Sequence, residues 1–161
     1  MGYIVPFEGA THLHYDAHKI ANSKIFKKII NYLYSQENKL TKHVQTNVNC
    51  RKLGSWDESL IELVNKPFFS NLSWKDACNE ILKCKITKYC NFNILNFISN
   101  NPQKYTFEVR IFPGSICSYR IQQWSFLFAE ILNFCCEHEN TSTNLFTSMI
   151  SEHCNNLLYE N

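Results

Sequence analysis

Along this chain the spacing of apolar residues switches between two and three-to-four, and the switches mark its elements. From Thr11 onward the order is polar Thr11 and His12, apolar Leu13, polar His14, apolar Tyr15 and Asp16. That two-residue period predicts a first strand within Tyr3 to Asp16, with His12, His14 and Asp16 on one face. From Asn22 to about Lys42, Ile25, Phe26, Ile29, Ile30, Leu33 and Leu40 recur at three and four, with Lys24, Lys27, Lys28, Gln36 and Glu37 between them. This is an amphipathic helix. Val44 to Cys50 alternates again and predicts a short strand running into Arg51-Lys52-Leu53-Gly54, where the glycine permits a turn.

Two helix starts follow. Ser55-Trp56-Asp57-Glu58 and Ser73-Trp74-Lys75-Asp76 each place a capping serine three residues ahead of an acid, before apolar positions at helical spacing. Asn65-Lys66-Pro67 separates them, since proline ends what precedes it. Ile86 to Phe97, rich in Tyr89, Phe92, Ile94 and Leu95, predicts a strand. After the turn residues Ser99-Asn100-Asn101-Pro102 comes a second strand, Tyr105 to Phe112, which would complete an antiparallel hairpin. Pro113-Gly114 stops it, and helices are predicted over about Tyr119 to Cys136 and Thr143 to Tyr159. The pattern is α+β: one antiparallel sheet with helices packed on one face, in a single domain spanning 1–161. It contains no internal repeat, low-complexity tract or linker.

Composition narrows the function classes. A content of 45% hydrophobic residues over 161 positions is enough for a substantial core. The net charge of +2 comes from scattered lysines, so nothing here calls for nucleic acid. Only Arg51, Arg110 and Arg120 are arginines. Each is a candidate for planar, bidentate recognition of phosphate or carboxylate. The eight cysteines show no CxxC pair, and no charged and apolar leader stands at the N-terminus. They read as reduced thiols of a cytoplasmic protein, buried in the core more readily than arranged around zinc. No apolar run approaches the roughly 20 residues of a membrane span.

Two strand faces carry the candidate chemistry. On Phe107 to Ile111, Phe107, Val109 and Ile111 form an apolar face, and Glu108 and Arg110 share the other. An exposed ion pair is the plain reading of such a pair. The functional reading is that Glu108 supplies a hard oxygen for Mg²⁺ and Arg110 a fork for phosphate. His12 and His14 can likewise present neighbouring nitrogens to one site, or simply be solvated. Arg51 lies in a basic turn, where solvation and phosphate binding are both open.

Taken in order, Gly9-Ala10-Thr11-His12-Leu13-His14, then Arg51 after a long helix, then Tyr89 to Asn93, then Phe107-Glu108-Val109-Arg110-Ile111-Phe112-Pro113-Gly114 resemble the C-terminal part of the amidoligase family, itself similar to glutamine synthetase and the glutamate–cysteine ligases. The resemblance covers most of residues 7 to 135. It implies ATP-dependent joining of a small-molecule or peptide carboxylate to an amine through an acyl phosphate, on one face of a curved antiparallel sheet. It also implies site roles: His12, with His14 beside it, contacting metal or ATP phosphates; Arg51 and Arg110 holding phosphates; Glu108 coordinating Mg²⁺; Glu108 and Arg110 carrying the catalysis. Family members normally begin with a strand bearing acidic metal ligands well ahead of the HxH strand. Here Glu8 is the only acid available before it. The expectation is therefore a partial or split ligase, completed by a second chain or by self-association. The alternatives are a non-catalytic interaction module on the same sheet and a zinc-dependent hydrolase centred on His12 and His14.

Overall fold

A computed structural model describes residues 9–46, 53–99 and 103–159. The sheet is small and wholly antiparallel. Strand β1 (Ala10–Asp16) and strand β2 (Phe92–Asn93) flank the central strand β3 (Thr106–Pro113), giving the order β1-β3-β2. Around it run helices α1 (Ser23–His43), α2 (Glu58–Asn65), α3 (Trp74–Ile81), α4 (Leu95–Ile98), α5 (Ser118–Glu137) and α6 (Thr143–Tyr159). This is the α+β class that the apolar spacing predicts, and no described helix is long and apolar enough to cross a membrane.

The long helices start where their capping residues require. Asn22 holds an extended backbone and its side-chain oxygen accepts from the Lys24 and Ile25 amides, which satisfies donors that α1 cannot satisfy internally. Ser73 does the same for α3 through the Asp76 amide. At α2 the cap is Asp57, not the predicted Ser55. The Asp57 carboxylate accepts from the Ser59 amide at 3.0 Å and the Ser59 hydroxyl at 2.6 Å, while the Ser55 hydroxyl donates to Glu37. Val44, predicted to open a strand, closes α1 instead, because its amide returns to the Leu40 carbonyl and Gln45 then turns the chain at a φ of 58°. Residues 47–50 of that predicted strand, and Arg51 after it, lie outside the described residues, as do Asn100, Asn101 and Pro102 of the turn.

The strand predicted over Ile86 to Phe97 shrinks to Phe92–Asn93. The cause is local: the Asn93 side-chain oxygen accepts the Leu95 amide at 3.0 Å and bends the chain into α4. What survives is the antiparallel pairing, Phe92 opposite Val109 and Asn93 opposite Glu108.

The sheet buries its apolar face under the helices. Phe107, Val109 and Ile111 are fully buried, Phe97 of α4 packs on Phe107, and Phe26 of α1 packs edge-on to Phe97. Strand β3 does not alternate to its end. Leu13 pairs with Val109 but Thr11 pairs with Phe112, so His12 alone stands opposite two residues, Arg110 and Ile111. This bulge advances the alternation by one. Phe112, which an unbroken strand would place beside Glu108 and Arg110, therefore turns to the helices, stacking on Trp124 at 5.0 Å and meeting Phe128 edge-on. The Thr46 hydroxyl donates to the Ile111 carbonyl at 2.5 Å. Past the strand, the Gly114 amide bonds the Gly9 carbonyl, and a Cβ on Gly114 would sit 3.0 Å from Gly9 backbone atoms, so the close approach requires glycine.

Replacing Phe112 by Ala is expected to cost roughly 3–5 kcal/mol in urea denaturation, whereas Phe126→Ala, at an exposed position of α5, should stay within about 0.5 kcal/mol.

Candidate active site

The other face of the sheet carries the charges. Glu108 projects from the middle of the central strand, with His14 opposite it on β1 and Asn93 opposite it on β2, so a row of three polar residues crosses all three strands. The bulge brings His12 and Arg110 alongside. Glu108 and Arg110 are each only 7% exposed, which rules out the exposed ion pair as the account of their spacing.

The two oxygens of Glu108 have different surroundings. Oε2 accepts from Asn93 Nδ2 at 2.7 Å. Oε1 lies 3.0 Å from His12 Nδ1, 3.5 Å from Arg110 Nε and 3.7 Å from His14 Nε2. Only the first of these three distances is a full hydrogen bond. Arg110 is held at both ends: its amide donates to the Asn91 carbonyl at 2.9 Å and its Nη1 to the Lys88 carbonyl. Its Nε is buried with no hydrogen-bond partner. His14 is set by the Thr106 hydroxyl, 3.1 Å from its Nδ1. Asp16, predicted to follow His12 and His14 on their face, pairs instead with exposed His18 at 2.5 Å.

Behind Arg110 the loop is braced from α1. Glu37 accepts from Asn91 Nδ2 at 2.6 Å and from the Ser55 hydroxyl, and the Asn91 amide bonds the Gly54 carbonyl. Burial holds the Glu37 carboxyl above its ordinary range, the Asn91 hydrogen bond acting in the opposite direction. Nearby Cys90 is a protonated thiol at neutral pH, since burial pushes it up to about 11 despite its bond to the Phe92 backbone and the neighbouring Arg110. It is an inert packing residue rather than a nucleophile.

The cluster opens onto a groove of about 680 Å³. Its lining joins Glu108, Arg110, Asn93 and His14 to Lys88 and Lys104, with the exposed Tyr89 at the rim. Three cations against one carboxylate favour an anionic ligand. Among the described residues no group of three or more His, Cys, Asp and Glu side chains is arranged to enclose a metal ion, and the described cysteines are free thiols. The donor set offers a single carboxylate, so a Mg²⁺ here would have to take most of its ligands from phosphate oxygens and water. It does not fit a cage made by protein alone.

Of the residues the sequence singles out, His12, His14, Glu108 and Arg110 are brought together, and Arg51 lies outside the described residues. Sequence reasoning missed Asn93, Lys88 and Glu37 as site residues. Asn93 left a signal, because asparagine is disfavoured in strands and here stands between Phe92 and Ile94.

Glu37 gives a pH test. A folded-state value above the unfolded one means the fold holds this proton more tightly. Its stabilisation is complete below the ordinary glutamate value and is lost as pH rises through the raised one. Glu37→Gln should therefore gain stability relative to the natural protein as pH goes from about 4 to about 7, measured as paired urea midpoints.

Compared with known families, the chain matches the family described as "Putative amidoligase enzyme" over residues 6–132, a stretch that takes in all three strands and the whole charged cluster. Searches of curated proteins and of solved structures return no match. The chain belongs to the amidoligase family.

Proposed function

We infer that this protein is an ATP- and Mg²⁺-dependent carbon–nitrogen ligase that joins a carboxylate to an amine. The observation that carries the reading is the convergence of Glu108, Arg110, His12 and His14 on one sheet face, at the head of a groove with two further cations. Membership of the amidoligase family supports the ligase class.

The chemistry asks more for positioning and charge than for a nucleophile from the protein. The substrate carboxylate attacks the γ-phosphorus, the bond to the bridging oxygen breaks, and ADP leaves with that oxygen's electron pair. The amine then attacks the acyl carbon of the resulting acyl phosphate, inorganic phosphate departs, and the amine loses a proton as the amide forms. Arg110, Lys88 and Lys104 are suited to offset phosphate charge in both steps. Glu108 would hold Mg²⁺, which when bound would supply neutralising charge to the transferred phosphoryl group. His12 keeps Oε1 oriented, and His14 borders the groove on the β1 side.

Isothermal titration is expected to show Mg·ATP binding that weakens at least tenfold in Glu108→Gln, which keeps shape and loses charge, and in Arg110→Lys, which keeps charge and loses the fork. Equal affinity in the natural protein and both variants, or no Mg·ATP binding by the natural protein, would overturn the reading.

A further inference from the structure

Tyr89 lines the same groove as Arg110, Lys88 and Lys104, and it is 59% exposed. A single exposed aromatic is ordinary on a protein surface. What sets Tyr89 apart is the loop that carries it. The Lys88 carbonyl accepts from Arg110 Nη1, and the Tyr89 amide donates to the Thr87 hydroxyl at 3.1 Å. On the other side the Cys90 thiol donates to the Phe92 carbonyl at 3.1 Å, and Asn91 is tied to Gly54 and Glu37. The backbone is thus fixed before and after a large ring that the core does not take up. A ligand that covers this ring has little loop left to order, which is a main cost of binding.

The ring also has a cation beside it. Lys88 Nζ stands 5.1 Å from the Tyr89 ring centroid, within the range of a cation–π contact. Cations and an exposed ring therefore follow one another along a single groove, whose volume of about 680 Å³ is of the size that small-molecule ligands occupy. A nucleotide has the matching order: phosphates at one end, a planar base at the other and a sugar between. A small carboxylate or inorganic phosphate would use the cations and leave the ring with no role. A base supplies the π-face that an aromatic side chain can stack on.

We propose that Tyr89 is the base-stacking residue of the nucleotide site, taking the planar base on its ring while Arg110, Lys88 and Lys104 face the phosphates. This rests on the ligase reading, because it takes a nucleotide to be the ligand of the groove. Stacking uses the ring and not the hydroxyl, so phenylalanine serves in its place and alanine does not.

The test separates base from phosphates. Mg·ATP and Mg·triphosphate are each titrated by calorimetry into the natural protein, Tyr89→Ala and Tyr89→Phe, and the Tyr89 ring resonances are followed by NMR. Paired thermal melts check that these changes at an exposed position leave the fold intact. Tyr89→Ala is expected to weaken ATP binding by about tenfold and to leave triphosphate within about twofold, while Tyr89→Phe keeps both. The Tyr89 ring signals should move upfield with ATP and not with triphosphate. An equal fall for the two probes would mean that Tyr89 only supports the loop. That result, unchanged ATP affinity in Tyr89→Ala, a fall in Tyr89→Phe as large as in Tyr89→Ala, or no upfield shift with bound ATP each overturns the stacking role and leaves the ligase reading intact. If the natural protein binds no Mg·ATP, the ligase reading fails, and the stacking role fails with it.

Discussion

The interaction on which the site depends is the burial of the Glu108 carboxylate in the middle of the central strand. Taking an ionised carboxylate out of water costs several kcal/mol unless hydrogen bonds and opposite charge replace the lost hydration. Here each neighbouring strand contributes. Strand β2 supplies Asn93, β1 supplies His12 and His14, and β3 itself supplies Arg110. Arg110 is as buried as its partner and needs its own support, which comes from the Lys88 carbonyl on a loop braced by Glu37 of α1. The charge cluster thus reaches through the loop to the longest helix, and a short sheet acquires a rigid charged face.

That rigidity has a physical basis on the opposite side. Phe107, Val109 and Ile111 are packed against the helical layer without exposure, so β3 cannot shift along its neighbours without moving its core residues. Trp56 strengthens the short edge by donating from its ring nitrogen to the Phe92 carbonyl at 2.8 Å. A two-residue strand would be a weak platform alone, but this one is fixed by its partner strand, an indole and the turn into α4. Groups held on such elements keep their geometry better than groups on free loops.

The sequence was most legible where one period ran long enough to outweigh local effects. Helices α1, α3, α5 and α6 followed their apolar spacing and terminal signals closely. Opposite faces for Phe107 and Glu108 followed from alternation alone. Failures arose where a side chain competed with the backbone pattern. Asn93 ended a strand that Tyr89, Phe92, Ile94 and Leu95 seemed to promise, and Asp57 displaced Ser55 as a cap because Ser55 was drawn to Glu37. Within the site, His12, His14, Glu108 and Arg110 were legible as spaced pairs and as part of an ordered resemblance. Asn93 and Lys88 were not, since one acts through its register opposite Glu108 and the other through its backbone carbonyl.

The bulge at His12 ties two selections together. Upstream of it the outward residues of β3 are charged, and downstream the residue at the same parity, Phe112, is core. Losing a single residue between Val109 and Phe112 would restore regular pairing with Phe112 still turned inward, at the expense of either Arg110 or the buried Ile111. The number of residues in this strand is therefore constrained as well as their identity: only the extra residue lets β3 turn Arg110 outward and still set two consecutive side chains, Ile111 and Phe112, into the core.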